Sequence, residues 1–374
     1  MKIENKLLRN DEKAVFALRS LYEKYGYAQF KMSKFEEYDL YVRNKDFLVS
    51  DNIITFTDTN GKLMALKPDV TLSIIKSSDE ANGCTQKVYY NENVYRTPKS
   101  SATFKEIMQV GLECIGNIDT YSIFEVLSLA AESLKIISED FVLDISHMGV
   151  ITDLMKDLSL DSESEKEIMK CMGEKNAHQI LEICEKNGVC KEKAQKIAEL
   201  TCVYGSIKEV TKKLEDLIGD DGKDALNELI MVANLLETCG YGDRLHIDFS
   251  VINDMNYYNG IVFKGFINSI PEGILSGGQY DKLMKKMNKK SRAIGFAVYP
   301  DFLERLGDNK KDYDIDTLIL YDDKSDIGVL TNTIKMMTDN GKSASAQREI
   351  PPKLKYKQLL KLNERGLEIV ETNA

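Results

Sequence analysis

The chain predicts an α+β fold: an antiparallel sheet flanked by helices, interrupted by a helical insertion and followed by a small α/β module. Three observations carry that prediction. Aromatic-rich, strand-like segments fill residues 87–116 and recur from Arg244 to about residue 298. Between them, residues 151–240 lose the strand signal and read as Lys- and Glu-rich helices punctuated by glycines. From Asp312 onward strand and helix patterns alternate in short succession. The expected division is a main body over residues 1–310, carrying the insertion at 151–240, and a module over 312–374.

Composition bounds the function. A chain of 374 residues suggests two or three domains. Lys plus Arg number 50 against 60 Asp plus Glu, a net charge of −10 that opposes non-specific binding to nucleic acid. Seven cysteines form no CxxC pair and there are three histidines, so no structural zinc or other metal site is expected. No cofactor motif is present either. Scattered thiols fit a reducing compartment. The start, MKIENKLLRNDEK, lacks the apolar core of a secretory signal, and no apolar run reaches membrane-spanning length. A cytoplasmic location is expected.

Element by element, residues 11–26 form an amphipathic helix, with Val15, Leu18, Leu21 and Tyr22 at helical spacing and Gly26 as the stop. Ala28, Phe30 and Met32 alternate as a short strand, and FEEYDLYVR reads as a helix. Two strands flank Asn60-Gly61, a strong hairpin cue. A helix starts near Val70, with Asp69 or Thr71 as its cap. DTYSIFEVLSLAAESLKII is a long helix and FVLDISHMGVI a strand, with His147 more plausible as a packed or surface residue than as a catalyst. The β pattern returns in RLHIDFSVI, NYYNGIVFKGFI and GILSGGQYDKLM. Gly277-Gly278 suits a close backbone approach or a bend. The basic run from Lys282 to Arg292 reads as an exposed loop, and RAIGFAVYPDFLERL as a strand entering a helix. In the last module, DIDTLILYDD, KSASAQ and LEIVET read as strands, IGVLTNTIKMMTDNG and KYKQLLKLNERG as helices.

The segment Lys87–Gly116 is the functional focus. KVYYNENVYR ends at Arg96, a turn-prone TPKSSAT follows, and EIMQVGLECIG carries Gln109 and Glu113 four residues apart. On a strand these two share a face while Val110 and Leu112 point the other way. Such a hairpin could hold a small charged ligand, or be an ordinary solvated sheet face with an apolar underside.

Taken together, residues 10–310 resemble the catalytic core of class II histidyl-tRNA synthetases. YAQFKMSKFEEYDLY is similar to that family's first motif, with Ser33 in place of its proline; the resemblance implies a homodimer through this region. LKPDVTLSI resembles its "L-R-P-E-G-T" block, and Lys87–Gly116 its second motif. DMNYYNGIVFKGF resembles "G-L-D-Y-Y-T-G-x-V-F-E", and SGGQYDKLM with RAIGFAVYPDFLERL resembles "G-G-G-R-Y-D" and the third motif. The resemblance implies an amino-acid pocket from Asp69, Thr71, Gln109, Glu113, Tyr257 and Tyr258, with Arg96 as the carboxylate's partner. Glu113, Asp69 or Gln109 would meet the ammonium, and a tyrosine the imidazole.

The departures fall on the nucleotide side. Asn253 stands where the family has a catalytic arginine, and Thr97-Pro98-Lys99 where an acid should follow Arg96. The next arginine is displaced by Lys105 or Glu106, VYPDF intervenes before Arg305, and Gln279 replaces the arginine of "G-G-R-Y". Fixed arginines stabilise the charge that develops when a carboxylate attacks the α-phosphate of ATP, so their loss predicts no aminoacylation. A kept amino-acid pocket without ATP machinery resembles the regulatory subunits of ATP phosphoribosyltransferase. That resemblance implies a non-catalytic chain with three companions: a short-form catalytic subunit, a second copy of itself, and histidine as feedback ligand. It implies no tRNA and no membrane partner. The alternative it leaves open is an active histidyl-tRNA synthetase or a synthetase-like paralogue.

Overall fold

The structure is a computed structural model, described over residues 8–48, 52–78, 85–97, 103–219, 222–252, 257–306, 312–364 and 366–373. It separates into two compact units, Met1–Leu306 and Gly307–Ala374.

In the first unit, helix α1 (Asn10–Lys24) buries Leu18 and Tyr22 and ends where Gly26 takes a φ of +80°. Strands β1 (Ala28–Gln29) and β2 (Phe35–Glu37) follow, then helix α2 (Tyr38–Arg43). The segment expected to be wholly helical therefore begins as a strand. Phe35–Glu37 pairs with β4 (Leu63–Leu66), which also pairs with β3 (Thr55–Thr57) across the Asn60-Gly61 turn. That pairing outweighs the helical pattern of three residues. Helix α3 (Thr71–Ser77) leads to the long hairpin of β5 (Gln86–Arg96) and β6 (Lys105–Gly116). Their register runs without a break from Gln86 opposite Ile115 to Arg96 opposite Lys105. The expected turn residues 98–102 lie outside the described residues.

Helix α4 (Thr120–Ile137) is held at its start by Asp119, whose carboxylate accepts the Ser122 N–H. Strand β7 (Phe141–His147) ends earlier than expected, because the His147 ring accepts the Gly149 N–H and starts helix α5 (Met148–Lys156). Five further helices build the insertion: α6 (Ser162–Gly173), α7 (Ala177–Lys186), α8 (Lys191–Thr201), α9 (Ile207–Ile218) and α10 (Lys223–Leu236). A two-residue strand, β8 (Tyr204–Gly205), ties them to β9 (Leu245–Asp248). Then come β10 (Ile261–Ile267), β11 (Ile270–Gln279), helix α11 (Asp281–Lys286) and β12 (Arg292–Val298), followed by a 3-10 turn over Pro300–Leu306. The basic run is thus only partly a loop, with Lys289 and Lys290 in the connection to β12. Lys282, Lys285 and Lys286 ride on α11, and Arg292 pairs with Asp281 at 2.9 Å.

Among the described residues these strands form a nine-stranded sheet in the order β1-β5-β6-β12-β11-β10-β7-β9-β8, antiparallel except for β1–β5 and β7–β9. One face packs through Val110, Leu112, Phe263 and Phe296 into a core shared with α1, α4 and the insertion. The opposite face carries the candidate site.

The second unit is a four-stranded sheet, β14-β13-β15-β16, from β13 (Ile315–Leu320), β14 (Ala344–Gln347), β15 (Tyr356–Asn363) and β16 (Gly366–Thr372), with helix α12 (Ile327–Asp339). KYKQLLKLNERG, expected as a helix, is strand β15 leading into a hairpin. Its Lys and Leu spacing fits both periods, and pairing to β13 and β16 decides between them. Ile319, Leu330, Leu360 and Leu362 are the buried apolar cluster of this unit.

Candidate functional site

Alternation along the sheet builds the site. Residues directly opposite in register point to one face, so Val88, Glu113, Gly295 and Gly278 form one row across four strands. Tyr90, Gly111, Ala297 and Ser276 form the next, and Glu92 with Gln109 a third. Arg96 lies on the same face of β5. The small residues in these rows leave room for the large ones. A Cβ on Gly295 would stand 1.7 Å from Glu113 Oε2, and one on Gly278 would stand 2.6 Å from the Tyr258 ring. Gly277 and Gly278 therefore make space for neighbouring side chains inside a straight strand, rather than forming a bend.

A cavity of about 340 Å³ opens over this face, within the size range of small-molecule sites. All seven residues singled out from the sequence line it: Asp69, Thr71, Arg96, Gln109, Glu113, Tyr257 and Tyr258. The face is not solvated. Gln109 is 5% exposed, Glu113 2% and Arg96 8%.

Glu113 lies at the floor. Thr71 Oγ1 donates to its Oε1 at 2.9 Å, and Tyr280 OH donates to its Oε2 at 2.6 Å. Burial pushes its carboxyl up to about 8, against the pull of these two donors. Asp69 sits half-buried ahead of α3, where its Oδ1 accepts the Leu72 N–H at 2.9 Å. It thus caps the helix and faces the cavity at once. Burial raises its carboxyl too, opposed by the Leu72 N–H and by Arg96. The loop that delivers Asp69 is fixed by Lys67. This side chain is fully buried, its Nζ donates to Glu92 at 2.9 Å, and its carbonyl accepts the Tyr95 N–H. Arg96 Nε is buried with no hydrogen-bond partner, a donor set aside at the cavity wall.

Aromatic rings close the rest. Tyr257 and Tyr258 stand 4.6 Å apart between centroids, with Phe47 and Tyr280 against Tyr257. Burial holds the hydroxyls of Tyr90, Tyr257, Tyr258 and Tyr280 protonated far above neutral pH. Sequence reasoning missed Tyr280, Tyr90, Ser276, Tyr299 and Phe47 as lining residues. Tyr280 was legible in SGGQYDKLM. Tyr90 and Ser276 needed the strand register, which an uncertain turn length hid.

Of the departures, Asn253 and Pro98 to Lys99 lie outside the described residues, as does the Arg305 side chain. Lys105 and Glu106 sit at the exposed start of β6, where Glu106 accepts from Tyr95 OH at 2.9 Å; neither lines the cavity. Gln279 is a correction. It is fully buried on the opposite face, where its Oε1 accepts the Ile261 N–H at 2.6 Å. Its identity says nothing about a nucleotide. The charge inventory of the cavity does: among the described lining residues, one arginine faces two carboxylates. Such a wall can hold a zwitterion, while a triphosphate needs several fixed cations. No group of His, Cys, Asp and Glu among the described residues could hold a metal ion, and no helix among them is long and apolar enough to cross a membrane.

The histidyl-tRNA synthetase family profile matches residues 4–303. A protein of Caldanaerobacter subterraneus named ATP phosphoribosyltransferase regulatory subunit is 31% identical over 285 residues, covering 75% of this chain and 74% of that protein. One of the same name from Thermoanaerobacter is 30% identical over 75% of this chain and 74% of its own. In fold, an ATP phosphoribosyltransferase regulatory subunit/histidyl-tRNA synthetase from Bacillus halodurans superposes with a TM-score of 0.73 at 22% identity, covering 92% of this chain and 91% of that one. A chain of the ATP phosphoribosyl transferase (HisG:HisZ) complex from Thermotoga maritima gives 0.60 at 18% identity, covering 80% of this chain and 98% of that one.

Proposed function

The chain belongs to the family of ATP phosphoribosyltransferase regulatory subunits, which carries the histidyl-tRNA synthetase domain, and from that premise we propose that it is a non-catalytic subunit in histidine biosynthesis. It joins a short-form catalytic phosphoribosyltransferase, is required for that subunit's activity, and carries feedback inhibition by histidine. The observation that carries this reading is the cavity's charge balance: the carboxyls of Glu113 and Asp69 against Arg96 as its single basic side chain among the described residues. Histidine offers an ammonium to the first and a carboxylate to the second. The tilted rings of Tyr257, Tyr258 and Phe47 offer its imidazole aromatic faces and edges to pack against. The same balance opposes ATP, so the chain activates no amino acid itself.

Coupling to a catalytic site on another chain is a free-energy linkage between two sites and requires the partner. A self-association surface is also part of this reading. Phe35 and Phe56 on the small sheet stack edge-on at 5.5 Å and stay 46% and 38% exposed, with Leu63 and Val42 both 48% exposed. Exposed apolar groups gathered this way suit a partner surface, and here the partner is a second copy of this chain, as the first-motif resemblance implies.

The test is reconstitution. Adding this chain to the short catalytic subunit should raise phosphoribosyl transfer to ATP, and histidine should then suppress it. Two chains that neither co-purify nor stimulate would end the proposal. Histidine-dependent ATP–pyrophosphate exchange by this chain alone would turn it toward the synthetase reading.

A further inference from the structure

We propose that the cavity takes up its ligand's ammonium in exchange for a proton held by Glu113, so that ligand binding and proton release are one event. This rests on the reading of the cavity as an amino-acid site and adds how that site is regulated.

The argument is geometric first. Glu113 is 2% exposed and pressed against bare backbone, since a Cβ on Gly295 would meet its Oε2 at 1.7 Å. Its two hydrogen bonds come from neutral hydroxyls, one to each oxygen. No ion pair to it occurs among the described residues. A carboxylate so deep, without a counter-ion, is unfavourable, and it lowers that cost by keeping its proton.

The groups around it agree. Asp69, ahead of α3, is a second acid whose charge disfavours ionisation of Glu113. Tyr90 on β5, Tyr257 and Tyr258 ahead of β10, and Tyr280 at the end of β11 are neutral. Arg96, at the end of β5, acts on Asp69 and Tyr258. The Glu113 carboxyl accordingly stands at about 8. An ammonium arriving at its oxygens supplies the missing charge. The neutral acid plus the cationic amine become a carboxylate–ammonium pair, and one proton leaves to solvent.

Calorimetry of L-histidine binding to the full chain at pH 7, in buffers of different ionisation heat, reads the released proton directly. Close to one proton per site is expected, with affinity falling several-fold from pH 8 to pH 7. Difference infrared spectra should show the protonated carboxyl band of the empty protein disappearing as histidine binds. Glu113→Gln should abolish that band change. Where this variant binds too weakly or fails to fold, Tyr280→Phe serves. It removes a donor to the carboxylate, so proton release persists while the pH midpoint of the affinity moves upward. Histidine bound with buffer-independent heat, or a carboxyl band that survives binding, would overturn the exchange alone. Failure of histidine to bind at any pH would instead remove the amino-acid reading beneath it.

Discussion

Two pairs of carboxylates, one at the cavity and one at the seam with the insertion, meet cations differently. At the cavity, Glu113 and Asp69 face each other with hydroxyls and backbone N–H groups as partners. At the seam between sheet and insertion, Asp144 on β7 and Asp248 on β9 are 7% and 4% exposed. There Lys175, just past α6, reaches Asp248 at 2.8 Å, and His246 stands 3.6 Å from Asp144. Lys175 also lies over the Tyr204 ring at 4.7 Å, which fixes it further. The seam brings its own cation to Asp248, while Asp144 Oδ1 stays buried without a hydrogen-bond partner. The cavity pair has no cation on Glu113 among the described residues, and in the proposed reading a ligand's ammonium supplies it. The difference is that a lysine of the chain reaches the seam pair, whereas no cation of the described residues reaches Glu113, an acid that lines a cavity.

The strongest way to break this contrast is to fill the space that Glu113 uses. Gly295→Ala places a methyl where Glu113 Oε2 now lies, 1.7 Å away. The carboxylate must turn out of its hydroxyl pair. Histidine affinity is expected to fall about a hundredfold or more, from the lost charge-assisted bonds together with the blocked floor, with an overpacking cost of about 1–3 kcal/mol. Calorimetry and thermal melts separate the two. Full-strength binding by a folded Gly295→Ala protein would remove Glu113 from the ligand's contacts.

A milder change makes the seam resemble the cavity. Lys175→Met leaves Asp144 and Asp248 without their lysine and should cost about 1–2 kcal/mol, reduced from a fully buried pair because Lys175 is 44% exposed. Burial already pushes Asp144 up to about 7, helped by Asp248 and opposed by Lys175. An acid raised in the folded state keeps a proton that the unfolded chain has already lost. Its contribution therefore falls as pH rises from about 4, its unfolded value, through 7. Without Lys175 that decline steepens. The loss of stability, read from denaturant midpoints, should be larger at pH 8 than at pH 5, with histidine affinity unchanged. A pH-independent loss would mean that Lys175 acts only by packing.

These contrasts were partly legible in the sequence. The four-residue spacing of Gln109 and Glu113 placed them on one face, and the resemblance to the synthetases collected Asp69, Thr71 and Tyr258 from distant segments. The spacing could not show that the face is buried. That follows from α3 and the Phe47 and Tyr257 rings closing over it. Nor could it show that Glu113 stands across from Gly295, since register depends on pairing between segments nearly two hundred residues apart. In the second unit, Tyr356–Asn363 reads equally well at both periods, and β13 had to be in place to make it a strand. Asp144 and Asp248 gave no sign of their partnership, because Lys175 comes from the insertion, where charges read as solvated helix faces.

Gln279 gives the smallest expected effect and the sharpest check on which face matters. Its place among the glycines of β11 invites a role toward the ligand, yet alternation puts it behind the sheet, next to Gly260 and Ile261. Its Oε1 holds the Ile261 N–H, while its Nε2 is buried without a partner. Gln279→Met keeps the length and removes both polar atoms. The Ile261 N–H then loses its acceptor, which costs about 1–3 kcal/mol, while removal of the orphaned donor returns part of that. A net loss of about 1 kcal/mol is expected in denaturant melts, with histidine affinity within twofold of the parent. Stability carries the whole effect if the two faces of the sheet are separate in function. A Gln279→Met protein that melts normally but binds histidine tenfold more weakly would show that the cavity draws on the rear face as well. The contrast between a front proposed to bind and a back that only packs would then fail.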